Sequence, residues 1–327
     1  MLLKANGSTT TNGMENTMSS SSPRPLAAWQ AWGILGLLSL IWGSSYVLIK
    51  WGLIYFPPMQ VAGIRLGVSA LAFLPVLFRE FKKIDRSQLL LFLLVGLMGT
   101  GLPAFLFPAA QQYVNSSLAG ILNSLTPLFT LLLGILFFNT RFTVTKTAGI
   151  LIGLVGAVSL FAFSEEAGLG SNWHYGLLIV LACLCYATSS NIVGFRLKGL
   201  NGLTISAVSF SLVGIPVLIY LLLGTDFVNI LQTNPEAWKG VGYITVLALF
   251  STVLAGIIFF QLIQWTSPVF GSTVSYLVPA VAMGWGALDG AAARAHRGVA
   301  PPHPGADHRD GVGPPVDRAF LLQECRR

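Results

Sequence analysis

The sequence predicts an all-α membrane protein: a polytopic bundle of two inverted five-helix repeats, with nine helices present and a tenth missing. Three observations predict it. The 327 residues are 54% hydrophobic and only 9% charged, with mean hydropathy +0.72, whereas a soluble domain carries about 25% charged residues. Nine stretches are each long and apolar enough to cross the hydrocarbon core, which takes about 20 residues. The third and fourth of these stretches recur 152 residues later as the eighth and ninth.

In chain order, residues 1–26 are rich in Ser, Thr and Asn and are expected to be disordered. Helices are expected at 29–50, 59–78, 88–108, 116–138, 144–164, 174–195, 202–223, 239–261 and 268–288. They are helices because lipid offers no partner to an unpaired backbone group. The breaks fall at Pro57-Pro58, Asn234-Pro235 and Ser267-Pro268. The first apolar run is too long for a signal-peptide core and is expected to stay as a membrane anchor.

The repeat fixes the organisation. A slide of 152 residues puts Thr100 on Thr252, Phe107 on Phe259, Gln112-Tyr113 on Gln264-Trp265, Pro127 on Pro279 and Gly134 on Gly286. A slide of 144 puts Trp42-Gly43-Ser44-Ser45 on Tyr186-Ala187-Thr188-Ser189. The unit therefore has five helices, all five over 27–164 and four of them over 174–290. An odd unit enters the membrane from opposite sides when repeated, an arrangement that places a binding site where the halves meet.

The net charge of +7 fits topogenic loop charge better than a nucleic-acid surface. With the N-terminus in the cytoplasm, the inner segments hold ten Lys and Arg: Lys4, Arg24, Arg79, Lys82, Lys83, Arg86, Arg141, Lys146, Arg196 and Lys198. The outer segments up to Gly290 hold two, Lys50 and Lys239. That is a positive-inside bias. Six more arginines follow Gly290, where the partner of the fifth helix, "TKTAGILIGLVGAVSLFAF", should lie. The 291–327 segment is expected to be a disordered tail, with two origins open: an out-of-frame reading near codon 290, or a genuine C-terminus.

The helices carry few groups suited to chemistry. Arg65 lies within the second helix, where a charge is costly. It reads either as an anion contact or as a structural arginine bonded to carbonyls. Ser39, Gly43, Tyr46 and Lys50 share a face of the first helix, either a polar stripe toward a cavity or a packing face with a snorkelling lysine. Gly120, Asn123, Pro127, Thr130 and Gly134 share a face of the fourth, most simply for close packing. Pro127 and Pro279 each free a carbonyl one turn back, which needs a partner or a wet cavity. Gln112, Tyr113, Gln264 and Trp265 are candidate gates or interfacial anchors, and Trp29, Trp32, Trp51, Trp173 and Trp238 a candidate aromatic belt.

Other classes find little support. No phosphate-binding G-x-x-x-x-G-K-[ST] occurs, and no helix core contains Asp or Glu. Cys183 and Cys185 sit about 200° apart on one helix, and three of the four His fall beyond Gly290. No metal, cofactor or enzymatic activity is expected.

The stretch "IWGSSYVLIKWGL", Arg65 with "LAFLP" after it, "SLAGILNSLTPLFTLLLGILFFNTRFT", "GILIGLVGAVSL" and "VFGSTVSYLVPAVAMGWGALDG" together carry a resemblance. In this order and duplication, the chain resembles an EamA-type member of the drug/metabolite transporter superfamily over residues 29–290. The resemblance implies ten helices in two inverted halves and export of amino acids or hydrophobic compounds across a bacterial inner membrane. It also implies a central cavity, with Trp42, Ser45, Arg65, Asn123, Pro127, Tyr186, Ser189, Tyr276 and Pro279 as candidates. Where many relatives place glutamates near the ends of the fourth and ninth helices, this chain has Thr140 and Ala291. The partners implied are a small-molecule substrate and the lipid bilayer, not nucleic acid. A sugar-phosphate or nucleotide-sugar exchanger using Arg65 with Lys50, or a non-transport scaffold or sensor, stays as an alternative.

Overall fold

The computed structural model describes residues 26–81, 84–114, 116–141, 143–162 and 173–285. The expectations for 1–25 and 291–327 lie outside these residues. Helices α1 (Ala28–Gly52) and α2 (Pro58–Glu80) are followed by α3, which runs over Arg86–Gln111. Next, α4 is built from Ser116–Asn123 and Thr126–Phe138, and α5 spans Val144–Ala162. The second half has α6 (Gly176–Phe195), α7 (Gly202–Gly224) and α8 (Ala237–Trp265), with the short helix Phe227–Thr233 before α8. Last, α9 starts as Pro268–Ser272 and continues over 274–285. No strand occurs among the described residues.

Among the described residues, seven helices are long and apolar enough to cross a membrane: α1 to α4 and α6 to α8. The apolar part of α5 spans Val144–Gly156, and α9 is described only to residue 285. The turn chemistry is local. Asn201 and Asp85 cap helix starts by accepting from Leu203 N (2.9 Å) and Ser87 N (3.0 Å). Asn139, at φ 53°, ends α4 in the left-handed conformation that asparagine tolerates.

Two features depart from the sequence expectation. First, α4 is interrupted at Ser124-Leu125. Pro127 cannot donate to the carbonyl of Asn123, and the Thr126 hydroxyl takes that carbonyl instead (2.8 Å). Second, α3 and α8 each contain a wide π-helical turn, at Leu97–Gly101 and Leu247–Leu254. The 152-residue slide carries the first into the second. In α3, Pro103 leaves the Gly99 carbonyl without its usual donor, which opens the ladder there.

The α2–α7 seam is the most extensive in the bundle. Glycines bring the two backbones together: a Cβ at Gly63 or Gly67 would strike Leu221 or Leu218 at 3.0 and 2.7 Å. A Cβ at Gly214 would come within 2.6 Å of the Leu66 carbonyl oxygen. Residue numbers rise along α2 as they fall along α7, so the helices are antiparallel. Equivalent helices of the two units thus run in opposite senses, which is the inverted repeat. The other seams agree with it: α3–α6 and α1–α8 both pack, as do α3–α7 and α2–α8, and each pair exchanges when the halves are exchanged.

Outward-facing side chains are apolar and exposed, among them Phe137, Val144, Ile152 and Leu223, as lipid contact requires. Trp29, Trp32, Trp51 and Trp238 are exposed as well.

A central cavity walled by both halves

A cavity of about 110 Å3 lies at the middle of the bundle. Equivalent residues of the two repeats line it: Trp42 and Tyr186, Ser45 and Ser189, Tyr46 and Ser190, Gly99 and Ser251, Thr100 and Thr252, Phe107 and Phe259, Asn123 and Ser275, Thr126 and Val278. The π-helical turns supply two of the α3/α8 pairs, Gly99 with Ser251 and Thr100 with Thr252.

Aromatic contacts repeat the same symmetry. Trp42 meets Phe259 edge-on at 5.1 Å between ring centres, and Tyr186 meets Phe107 at 6.1 Å. Phe259 lies toward the loop that joins α8 to α9, and Phe107 toward the loop that joins α3 to α4. The cavity is bracketed by these two ring pairs.

The polar contacts are not symmetric. On the α1–α8 side, Trp42 Nε1 donates to the Ser251 carbonyl (2.9 Å) and Ser45 Oγ donates to Ser251 Oγ (2.7 Å). Arg65 Nε donates to Thr252 Oγ1 at 2.7 Å. On the α3–α6 side, Ser189 donates to the Val95 carbonyl (3.2 Å), and Gly99 packs directly on it. Among the described residues, Arg65 is the only charged one in the lining.

Six of the nine cavity candidates line this space: Trp42, Ser45, Arg65, Asn123, Tyr186 and Ser189. Three do not. Tyr276 points to α5, donating to the Ile150 carbonyl (2.8 Å) with its ring against Gly153. Pro279 backs onto Gly120, whose added Cβ would lie 3.3 Å from its Cα. Pro127 is buried behind the break in α4. The carbonyl that Pro279 frees, at Ser275, is taken by Ser124 Oγ (3.0 Å), so both proline-freed carbonyls find hydroxyls rather than water.

The gate candidates lie away from the cavity. Gln264 clamps the end of α6: its Nε2 donates to the carbonyls of Val193 (2.9 Å) and Leu197 (3.0 Å), and its Oε1 accepts from Gly199 N (2.8 Å). Tyr113 stacks on Tyr175 with ring centres 3.7 Å apart. Gln112 and Trp265 are exposed. Lys50 is exposed and outside the lining.

Sequence reasoning missed Thr126, Ser251, Ser272 and Ser275 as lining residues. The signal was present for Ser272 and Ser275, which the repeat pairs with Gly120 and Asn123.

Comparison with known proteins agrees with this architecture. The chain is 31% identical over 259 residues to an uncharacterized inner membrane transporter, YedA, of Escherichia coli K12, covering 77% of this chain and 80% of that one. It is 24% identical to the uncharacterized transporter YoaV of Bacillus subtilis, covering 77% and 87%. It is 33% identical over 136 residues to a probable amino-acid metabolite efflux pump of Salmonella typhimurium, covering 40% and 43%. A solved crystal structure superposes with TM-score 0.50 at 16% identity, covering 83% of this chain and 99% of the other. The profile of the EamA-like transporter family matches twice, over residues 30–162 and 174–288, once for each set of helices that walls the cavity. The chain is therefore a multi-pass membrane protein that belongs to the EamA-like transporter family.

Proposed function

We propose that this protein is a secondary carrier that exports small metabolites, amino acids or hydrophobic compounds, across a bacterial inner membrane by alternating access. One observation carries the reading: the central cavity takes its walls from equivalent residues of two oppositely threaded halves. Exchanging the conformations of the halves then converts a cavity open to one side into a cavity open to the other. The names of the relatives, two transporters and a probable efflux pump, support the same reading. The ten-to-two loop charge bias supports a cytoplasmic N-terminus.

The anion-exchanger alternative needs Arg65 and Lys50 together, and only Arg65 lines the cavity. The scaffold or sensor alternative is favoured by the absence of a central cavity, and a cavity is present.

The test compares metabolites released by cells with and without the gene. Selective accumulation of one class of small metabolite outside expressing cells is the expected result. An identical profile, with the protein shown to reside in the membrane, overturns the proposal.

A further inference from the structure

Resting on the carrier reading, and narrowing its substrate classes so that amino acids are excluded, we propose that the cavity selects a compact organic monoanion: one carboxylate on an apolar or aromatic body, with no compensating ammonium. The charge inventory points there. Among the described residues, Arg65 is the single ionic group in the lining, and no Asp or Glu accompanies it. Its Nε is held by Thr252, and the guanidinium forms no other hydrogen bond among the described residues. A guanidinium at this depth is costly without an anion, and its remaining donors form the planar fork that matches a carboxylate.

The rest of the lining completes the selection. The same wall carries the hydroxyls of Thr100, Thr252 and Ser251, of which Thr252 is bonded to Arg65. Trp42 and Phe259 line it as well and favour an apolar body. An ammonium would share this space with Arg65 and find no carboxylate among the described lining residues to offset the repulsion. A phosphate dianion would lack a second cation, since Lys50 lies elsewhere. The volume of about 110 Å3 admits a compact organic solute rather than a large one, since a single water already needs about 10–15 Å3.

The test measures equilibrium binding of phenylacetate, phenylalanine, 2-phenylethylamine and phenyl phosphate to the full chain in lipid nanodiscs. Phenylacetate is expected to bind at least tenfold more tightly than the other three. Arg65→Gln should lower its affinity tenfold or more, and Arg65→Lys should keep part of it. Because Arg65→Gln can fail to fold, a second variant adds the missing charge: Asn123→Asp should shift preference toward phenylalanine and 2-phenylethylamine by at least tenfold.

Equal or tighter binding of phenylalanine to the unaltered chain overturns the proposal, as does binding of none of the four. So does phenylacetate affinity that a folded Arg65→Gln leaves unchanged, a preference that Asn123→Asp does not move, or full displacement of phenylacetate by equimolar chloride. The carrier reading fails separately: phenylacetate bound selectively by a protein that changes no exported metabolite keeps the selectivity and removes the transport.

Discussion

Gly99 and Ser251 stand at equivalent points of the two halves, yet only Ser251 presents a hydroxyl to the cavity. At Gly99 there is no room for one. A Cβ there would lie 2.5 Å from Ser189 Oγ and 3.2 Å from Ser189 Cβ. At Ser251 the space is filled by hydrogen bonds from Ser45 and Trp42. The two sides of the cavity are closed by different means, packing on one and hydrogen bonding on the other.

Gly99→Ala should therefore wedge α3 from α6. Overpacking of this kind costs about 1–3 kcal/mol, read as a lower thermal midpoint in detergent. Ser189→Ala in the same chain should recover part of the loss, because the nearest atom is then gone. A Gly99→Ala chain that melts like the parent would show that the seam is loose.

Ser124→Ala should strand the carbonyl that Pro279 frees at Ser275. An unpaired buried acceptor costs about 1–3 kcal/mol. Adding Pro279→Ala restores a backbone donor to that carbonyl, so the double variant should be more stable than Ser124→Ala alone. The measurement is a double-mutant cycle on thermal stability, and strict additivity would remove the pairing.

Gln264→Leu should destabilise the end of α6 while leaving the binding of cavity ligands near its original value. Three hydrogen bonds end on this side chain, and at about 0.5–1.5 kcal/mol each their loss is measurable. Faster amide exchange at Gly199 and Leu200 would report it directly. A changed ligand affinity without a changed exchange rate would make Gln264 a gate after all.

Much of this was legible in the sequence because the duplicated residues are unusual ones. Thr100 with Thr252 and Phe107 with Phe259 could be aligned by eye, and the structure puts all four in the cavity wall. Arg65 stood out because charge is rare in a lipid-spanning helix. Tyr276, Pro127 and Pro279 lie off the cavity lining for a geometric reason. The interruption of α4 at Ser124-Leu125 and the irregular turn at Thr273 rotate the faces that a regular 3.6-residue period would present. Gln264 reads as a gate or interfacial anchor because the expected eighth helix ends at 261, four residues before the end of α8 at Trp265. The wide turns left no mark, since a π-helical turn has no composition of its own.

Those two turns have a consequence for the evolution of the chain by insertion and deletion. Each accommodates more residues than a regular turn at mid-depth, and everything beyond it is phased accordingly. Deleting one residue from Leu97–Gly101 would let that turn close to the regular pitch with the rest of α3 nearly in place, whereas a deletion between Leu102 and Leu106 would retract the remainder by about 1.5 Å and swing it by about 100°, carrying Phe107 off Tyr186. Single-residue deletions are thus expected to be absorbed at the two wide turns and to displace the cavity's rings when they fall between those turns and Phe107 or Phe259.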